Sequence, residues 1–156
     1  MEFAAKSAAD NGIKVILNPA PAQSLPDSLM NNVWLLTPNE TEAETLSGVT
    51  INDLASADCA ASELLKRGVK NVIITLGETG AYVKSDSFTG LVPGVKVEAI
   101  DTTAAGDVFN GALAVALSEG NEMKKAVEFA NMAAAKSVTR LGAQASAPYR
   151  NEIITT

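Results

Sequence analysis

Asp101-Thr-Thr-Ala-Ala-Gly-Asp107, followed at once by Val-Phe-Asn-Gly-Ala-Leu-Ala-Val-Ala-Leu117, reads as a polar, glycine-containing turn that feeds directly into an apolar helix. The first N–H groups of a helix have no intrahelical partner, and the helix dipole makes that end locally positive. An anion such as phosphate is accommodated there without further help. Asp107 falls in the first turn, where its carboxylate faces whatever the anion reacts with. An anion cradle beside a carboxylate base is what phosphoryl transfer to a hydroxyl requires. A simpler reading also exists. An Asp in a first turn often only complements the dipole, and Ala-Gly often only makes a tight turn. For an isolated Gly-Asp pair that simpler reading would win; the complete string is more demanding.

Outward from this stretch, composition bounds the rest. The chain has 156 residues, enough for one domain with a real core. Hydrophobic residues make up 47% and charged residues 19%, as in a globular protein and unlike a disordered one. The net charge is −6 with no run of Lys or Arg, which argues against a nucleic acid or an anionic membrane surface as partner. Cys59 is the single cysteine, so no intrachain disulfide can form; set in Ala-Asp-Cys-Ala-Ala, it reads as a small core residue. The absence of histidine excludes histidine catalysis and most transition-metal sites. No signal-peptide pattern and no membrane-length apolar run is read here, so the default expectation is a cytoplasmic protein.

Taken in order, residues 2–12 read as a helix closed by Gly12, and Ile13–Leu17 as a buried strand. Asn18-Pro-Ala-Pro-Ala22 ends that strand, and Val33–Thr37 is the second. Asn39 followed by Glu42 opens the next helix as a capping box. Asn52–Arg67 form a crossover helix with Asn52 as N-cap, carrying Leu54, Ala57, Ala61, Leu64 and Leu65 on one face. Val72–Leu76 is a further strand, and Gly77-Glu-Thr-Gly80 turns into Ala81–Lys84 in a hairpin pattern. That Gly-x-x-Gly leads into a strand, so it is no dinucleotide fingerprint, and a dehydrogenase is disfavoured. Short strands within Phe88–Val97 are broken at Pro93-Gly94. The helix after Asp107 is apolar on nearly all sides, which points to burial in the middle of the fold. Glu122–Thr139 form the longest helix, with Asn131 as a polar position near its packed stripe and Gly142 as a stop beyond it. No internal repeat or low-complexity segment interrupts the chain.

Asp-Thr-Thr-Ala-Ala-Gly-Asp followed by Val-Phe-Asn-Gly-Ala resembles the signature of the ribokinase (PfkB-type) family of sugar and nucleoside kinases, whose usual pattern is Asp-Thr-x-Gly-Ala-Gly-Asp. Ala104 stands where most members have Gly, which keeps the backbone donor but asks more of the local backbone angles. Leu-Asn-Pro-Ala-Pro-Ala, Asn-x-x-Glu at Asn39–Glu42 and Thr75-Leu-Gly-x-x-Gly80 resemble further family segments, in the expected order.

The resemblance implies an α/β, ribokinase-like fold: a mostly parallel sheet flanked by helices, with a small antiparallel part near residues 72–97. It implies an ATP-dependent sugar kinase, with D-ribose the expected acceptor; fructose, a keto-deoxy sugar acid or a nucleoside are alternatives. Asp107 would be the base, and the N–H groups of Ala104, Ala105 and Gly106 would stabilise charge on the phosphoryl oxygens. Asn39, Thr75, Leu76, Gly77, Glu78, Thr79, Gly80 and Asn131 would contact the nucleotide, and Glu42 would help hold Mg²⁺, partly through water. A K⁺ ion would be held by Asp101, Thr103, Ser137, Arg140, Gly142 and Ser146. Residues 1–156 are expected to form a single domain equivalent to the C-terminal, ATP-binding and catalytic portion of the family fold. The sugar-gripping first half and its lid are not matched, so a missing N-terminal half or self-association through an exposed apolar face is also expected. A non-catalytic nucleotide-binding or interaction module is the remaining alternative.

Overall fold

A computed structural model describes residues 1–153. Helix α1 (Glu2–Asp10) leads to strand β1 (Ile16–Leu17), the short α2 (Asp27–Met30) and β2 (Leu35–Leu36). Helices α3 (Glu40–Ser47) and α4 (Leu54–Lys66) follow, then β3 (Asn71–Thr75), β4 (Gly80–Lys84) and β5 (Thr89–Pro93). Helices α5 (Ala105–Ser118), α6 (Met123–Ser137) and α7 (Arg150–Ile153) complete the described chain. The strands form one sheet in the order β1-β2-β3-β4-β5. The first three run parallel, with Ile16 opposite Leu35 and Leu36 opposite Val72. Residues 76–79 are too few for a crossover connection, so β4 returns antiparallel and the sheet is mixed. The fold class is the α/β one expected, a sheet parallel over its first three strands with helices between them. Among the described residues no helix is long and apolar enough to cross a membrane.

The chain divides into two compact units: Met1–Leu76 with Tyr82–Leu91, and Gly77–Ala81 with the residues from Val92 on. The first has its core around Met30, Leu36, Leu64, Val72 and Ile74, all fully buried. Residues Asn71 to Ile74 of β3 are buried without alternation, as in a strand covered on both faces. Arg67, at the end of α4, ties this unit together. Its guanidinium donates to the Leu46 carbonyl at 3.0 Å, to the Leu25 carbonyl and to Asp27. Asp58 on α4 accepts from the Tyr82 hydroxyl at 2.6 Å and from the Lys84 ammonium, fastening α4 to β4. In the second unit, α5 and α6 pack together, and Phe109, Leu113, Ala116, Ala126, Val127 and Ala130 are buried there.

Several local expectations are corrected. The N-cap of α4 is Asp53, not Asn52: Asp53 accepts the Ser56 N–H at 2.8 Å while its own N–H donates to Ser56 Oγ at 3.0 Å. Asn and Asp cap equally well, and the serine three residues on decides between them. Cys59 is exposed, not in the core. The buried side of α4 runs through Ala57, Ala60, Ala61 and Leu64, and two residues beyond Ala57 the helix has turned to its opposite side. Leu54, in the first turn, is also exposed. Strand β1 is confined to Ile16–Leu17 and only partly buried, with Ile13 exposed, because it is paired along one side only. Helix α5 is not buried all round. Its buried residues are Phe109, Leu113 and Ala116, and Val115 is 47% exposed.

Candidate phosphoryl-transfer site

The turn before α5 is built by two devices. Ala104 adopts φ 61°, the left-handed region, and is the only non-glycine residue with positive φ among those described. A Cβ makes that conformation cost about 1 kcal/mol or more, so the turn is held from outside. The holder is Asp101. One of its carboxylate oxygens accepts the Thr103 N–H at 2.9 Å and the other accepts the Gly142 N–H at 2.9 Å. The Thr103 side chain, then the Gly142 N–H and the Thr103 N–H, hold the Asp101 carboxyl down at about 2. The Ile100 and Asp101 N–H groups both donate to the Val138 carbonyl, at 2.7 and 3.1 Å. The turn is thus fixed to the segment that leaves α6.

The first intrahelical bond of α5 runs from the Val108 N–H to the Ala104 carbonyl at 2.9 Å. The N–H groups of Gly106 and Asp107 precede it and lie at the positive end of the helix. The Ala105 N–H already donates to the Thr102 carbonyl at 3.2 Å, so of the three expected anion donors it is the one also used in shaping the turn. Asp107 is exposed in the first turn and borders a cleft of about 640 Å³. The cleft follows the outward side of α5 past Val108, Ala112 and Val115, with Phe129 and Ala133 of α6.

The expected cation ligands fall in the same unit. Ser137 is buried, its carbonyl accepts the Arg140 N–H at 3.1 Å, and its hydroxyl donates to the Ala134 carbonyl. Ser146 is fully buried and donates from Oγ to the Ala143 carbonyl at 2.8 Å. Asp101, Thr103 and Gly142 are brought into direct contact. An ionised Asp101 with spare lone pairs, beside carbonyls at the C-terminus of α6, is an oxygen-donor set that fits a monovalent cation. Among the described residues no three His, Cys, Asp or Glu side chains stand together as a metal cluster, so a divalent ion here would rely on other oxygen donors.

Asn131 is buried on α6, and its amide donates to the carbonyls of Val92 and Pro93, both at 3.1 Å. Its Nδ2 is therefore engaged with the end of β5. Residues Gly77 to Thr79 are exposed, and the Thr79 carbonyl accepts the Gly94 N–H at 3.0 Å. Gly80, at φ +113°, needs its missing side chain for the fold itself: a Cβ there would stand 2.2 Å from the Val92 carbonyl oxygen. In the first unit, Asn39 caps α3. Its side chain accepts the Glu42 N–H at 2.8 Å, and the buried Glu42 carboxylate accepts the Asn39 N–H at 2.8 Å. Asn39 also bridges to Thr75 at the end of β3, whose N–H donates to the Pro38 carbonyl. Leu76 is buried directly after it.

One residue of this neighbourhood escapes sequence reading. Glu152 binds the Arg140 guanidinium with both carboxylate oxygens and accepts the Tyr149 N–H at 2.7 Å. Nothing in the spacing of Arg140 and Glu152 marks them as partners.

Known proteins of this shape share the sequence as well. The profile of the pfkB family carbohydrate kinases matches residues 1–150. A ribokinase of Haemophilus influenzae is 49% identical over 154 residues, covering 99% of this chain and 50% of that protein. A ribokinase structure from Thermotoga maritima is 47% identical with a TM-score of 0.84, covering 94% of this chain and 50% of the other. A ribokinase of Arabidopsis thaliana, solved with ribose and ATP, is 32% identical with a TM-score of 0.88, covering 98% of this chain and 50% of the other. The chain spans about half the length of these relatives. With its signature turn, its fold and nearly its whole length in agreement, this chain belongs to the pfkB family of carbohydrate kinases.

Proposed function

We propose that this chain supplies the nucleotide-binding and catalytic part of a kinase that transfers the γ-phosphoryl group of ATP to a sugar hydroxyl, with D-ribose as the acceptor. The observation that carries this reading is the placement of Asp107 in the first turn of α5, just after a turn held by Asp101. Asp107 accepts the proton of the attacking hydroxyl. The backbone N–H groups of Ala104, Ala105 and Gly106 receive the charge that develops on the transferred oxygens. The turn is fixed beforehand by Asp101, so the Gly106 N–H need not reorganise during reaction. Bound Mg-ATP supplies the phosphoryl group, its own Mg²⁺ neutralising the phosphates. Glu42, whose carboxylate is placed by its bond to the Asn39 N–H, would help to hold that ion. Asn39, Thr75–Gly80 and Asn131 line the nucleotide. Asp101, Thr103, Ser137, Arg140, Gly142 and Ser146 would hold a K⁺ ion, which would help to order the turn. The acceptor is named from the relatives: the H. influenzae and T. maritima proteins are ribokinases, and the A. thaliana one was solved with ribose.

A second reading rests on the outward apolar side of α5, where Val115 is 47% exposed. In it, the chain binds nucleotide or associates with itself and turns nothing over. Calorimetric titration with Mg-ATP in K⁺ and then in Na⁺, followed by ADP release with ribose and a panel of other acceptors, separates the two. Binding that is tighter in K⁺ with ribose-stimulated ADP release supports the kinase. Binding without turnover supports the second reading, and absence of binding in both salts overturns the nucleotide site.

A further inference from the structure

The segment from Arg140 to Tyr149 carries Gly142, whose N–H is gripped by Asp101. One side chain closes this segment on itself. Glu152 pairs with the Arg140 guanidinium at its beginning and accepts the Tyr149 N–H at its end. The pair is half-buried, with side-chain exposures of 33% and 30%, so it is better shielded from water than a surface ion pair. Its geometry is bidentate, the arrangement in which an Arg–carboxylate contact fixes orientation as well as distance. Arg150, two residues before Glu152, pairs instead with Glu119 at the end of α5.

A continuous chain of contacts results. Glu152 fixes Arg140 and Tyr149, the segment between them presents the Gly142 N–H, Asp101 accepts it, and the other oxygen of Asp101 holds Thr103 in the turn before Asp107. We propose that Glu152 is a positioning residue for phosphoryl transfer, setting the anion-binding turn through the Arg140–Tyr149 segment and Asp101. It touches neither nucleotide nor acceptor. The proposal rests on the kinase reading, and it also makes a claim about the backbone that stands without it.

The test uses the whole chain with Glu152→Gln, which keeps an acceptor for the Tyr149 N–H and removes the charge that holds Arg140. Glu119→Gln is the control, since it breaks a more exposed ion pair, with side-chain exposures of 54% and 39%, in the same unit. Amide hydrogen exchange and proton shifts are read at Gly142 and Thr103. The expected result is exchange faster by about tenfold at both amides in Glu152→Gln, with a loss of the downfield shift of the Gly142 proton, and neither change in Glu119→Gln. In Mg-ATP titrations the K⁺ concentration for half-maximal binding rises several-fold in Glu152→Gln only. Unmoved Gly142 and Thr103 amides overturn the proposal, even if the melting temperature falls. So does an equal change in both variants. If the parent chain binds no Mg-ATP, the kinase reading fails, and the amide measurements still decide the role of Glu152.

Discussion

The Asp101 carboxylate accepts the N–H of Gly142 at 2.9 Å, joining positions 41 apart in the sequence. That bond, with the one to the Thr103 N–H, makes the turn before α5 depend on the ionisation of a single side chain. The carboxyl is held at about 2, below the roughly 3.9 of an unfolded aspartate. A group whose folded value is depressed adds stability above its unfolded value and loses it as pH falls through the folded one. Asp101 therefore stabilises fully above about pH 4 and fades between about pH 4 and pH 2. Urea midpoints of the parent and Asp101→Asn should differ most at pH 7 and converge toward pH 2. A constant difference over that range would show that the charge of Asp101 is not what holds the turn.

Asp107→Asn preserves the shape of the first turn of α5 and removes the proton acceptor. In a preparation that turns over, phosphoryl transfer should fall by about 10²–10⁴-fold. The Mg-ATP affinity should change little, because the backbone donors are untouched. Unimpaired turnover in this variant would remove Asp107 from the role of base.

Ala104→Gly relieves a left-handed residue at φ 61°. The gain from the lost Cβ clash is offset in part by the greater entropy of glycine in the unfolded chain, leaving a net stabilisation of about 0.5–1 kcal/mol. Thermal unfolding should rise by about 2–3 °C. A lower melting temperature would mean that the Ala104 methyl makes contacts that outweigh its strain.

Asn39→Ala removes one half of the α3 capping box and should cost about 1 kcal/mol. Glu42→Gln keeps an acceptor for the Asn39 N–H, so stability should hold within about 0.5 kcal/mol while the dependence of ATP binding on Mg²⁺ weakens. Denaturant unfolding and Mg²⁺-dependent titrations separate the two effects. Equal losses of stability with unchanged Mg²⁺ dependence would leave the pair a cap and nothing more.

Gly80→Ala should be among the more damaging single changes, costing about 2 kcal/mol or more. The new Cβ would meet the backbone at Val92 and Gly94, where no flexible side chain can yield. Gly77→Ala meets open space and should cost only the strain of its positive φ, about 1 kcal/mol. Chemical denaturation of the two variants gives the ordering directly.

Local chemistry was legible in the amino-acid sequence by itself. The existence of a turn and helix at Asp101–Leu117, of the box of Asn39 and Glu42, and of the return of the chain at Gly77–Gly80 can each be read from neighbouring residues. Their spacing carries the information, and the signature string carries the family. Tertiary structure decided what depends on distant partners. Burial of α5 on one side only follows from what packs against it, and its uniformly apolar sequence could not tell which side that is. The exposure of Cys59 follows from which face of α4 meets the core, a phase of the helix that small residues on every side left undetermined. That the amide of Asn131 bonds to the end of β5 likewise depends on a partner 38 to 39 positions away. The links from Asp101 to Gly142 and from Glu152 to Arg140 exist only once the backbone has folded, because a hydrogen bond acts over about 3 Å and no sequence period encodes a contact between separate loops.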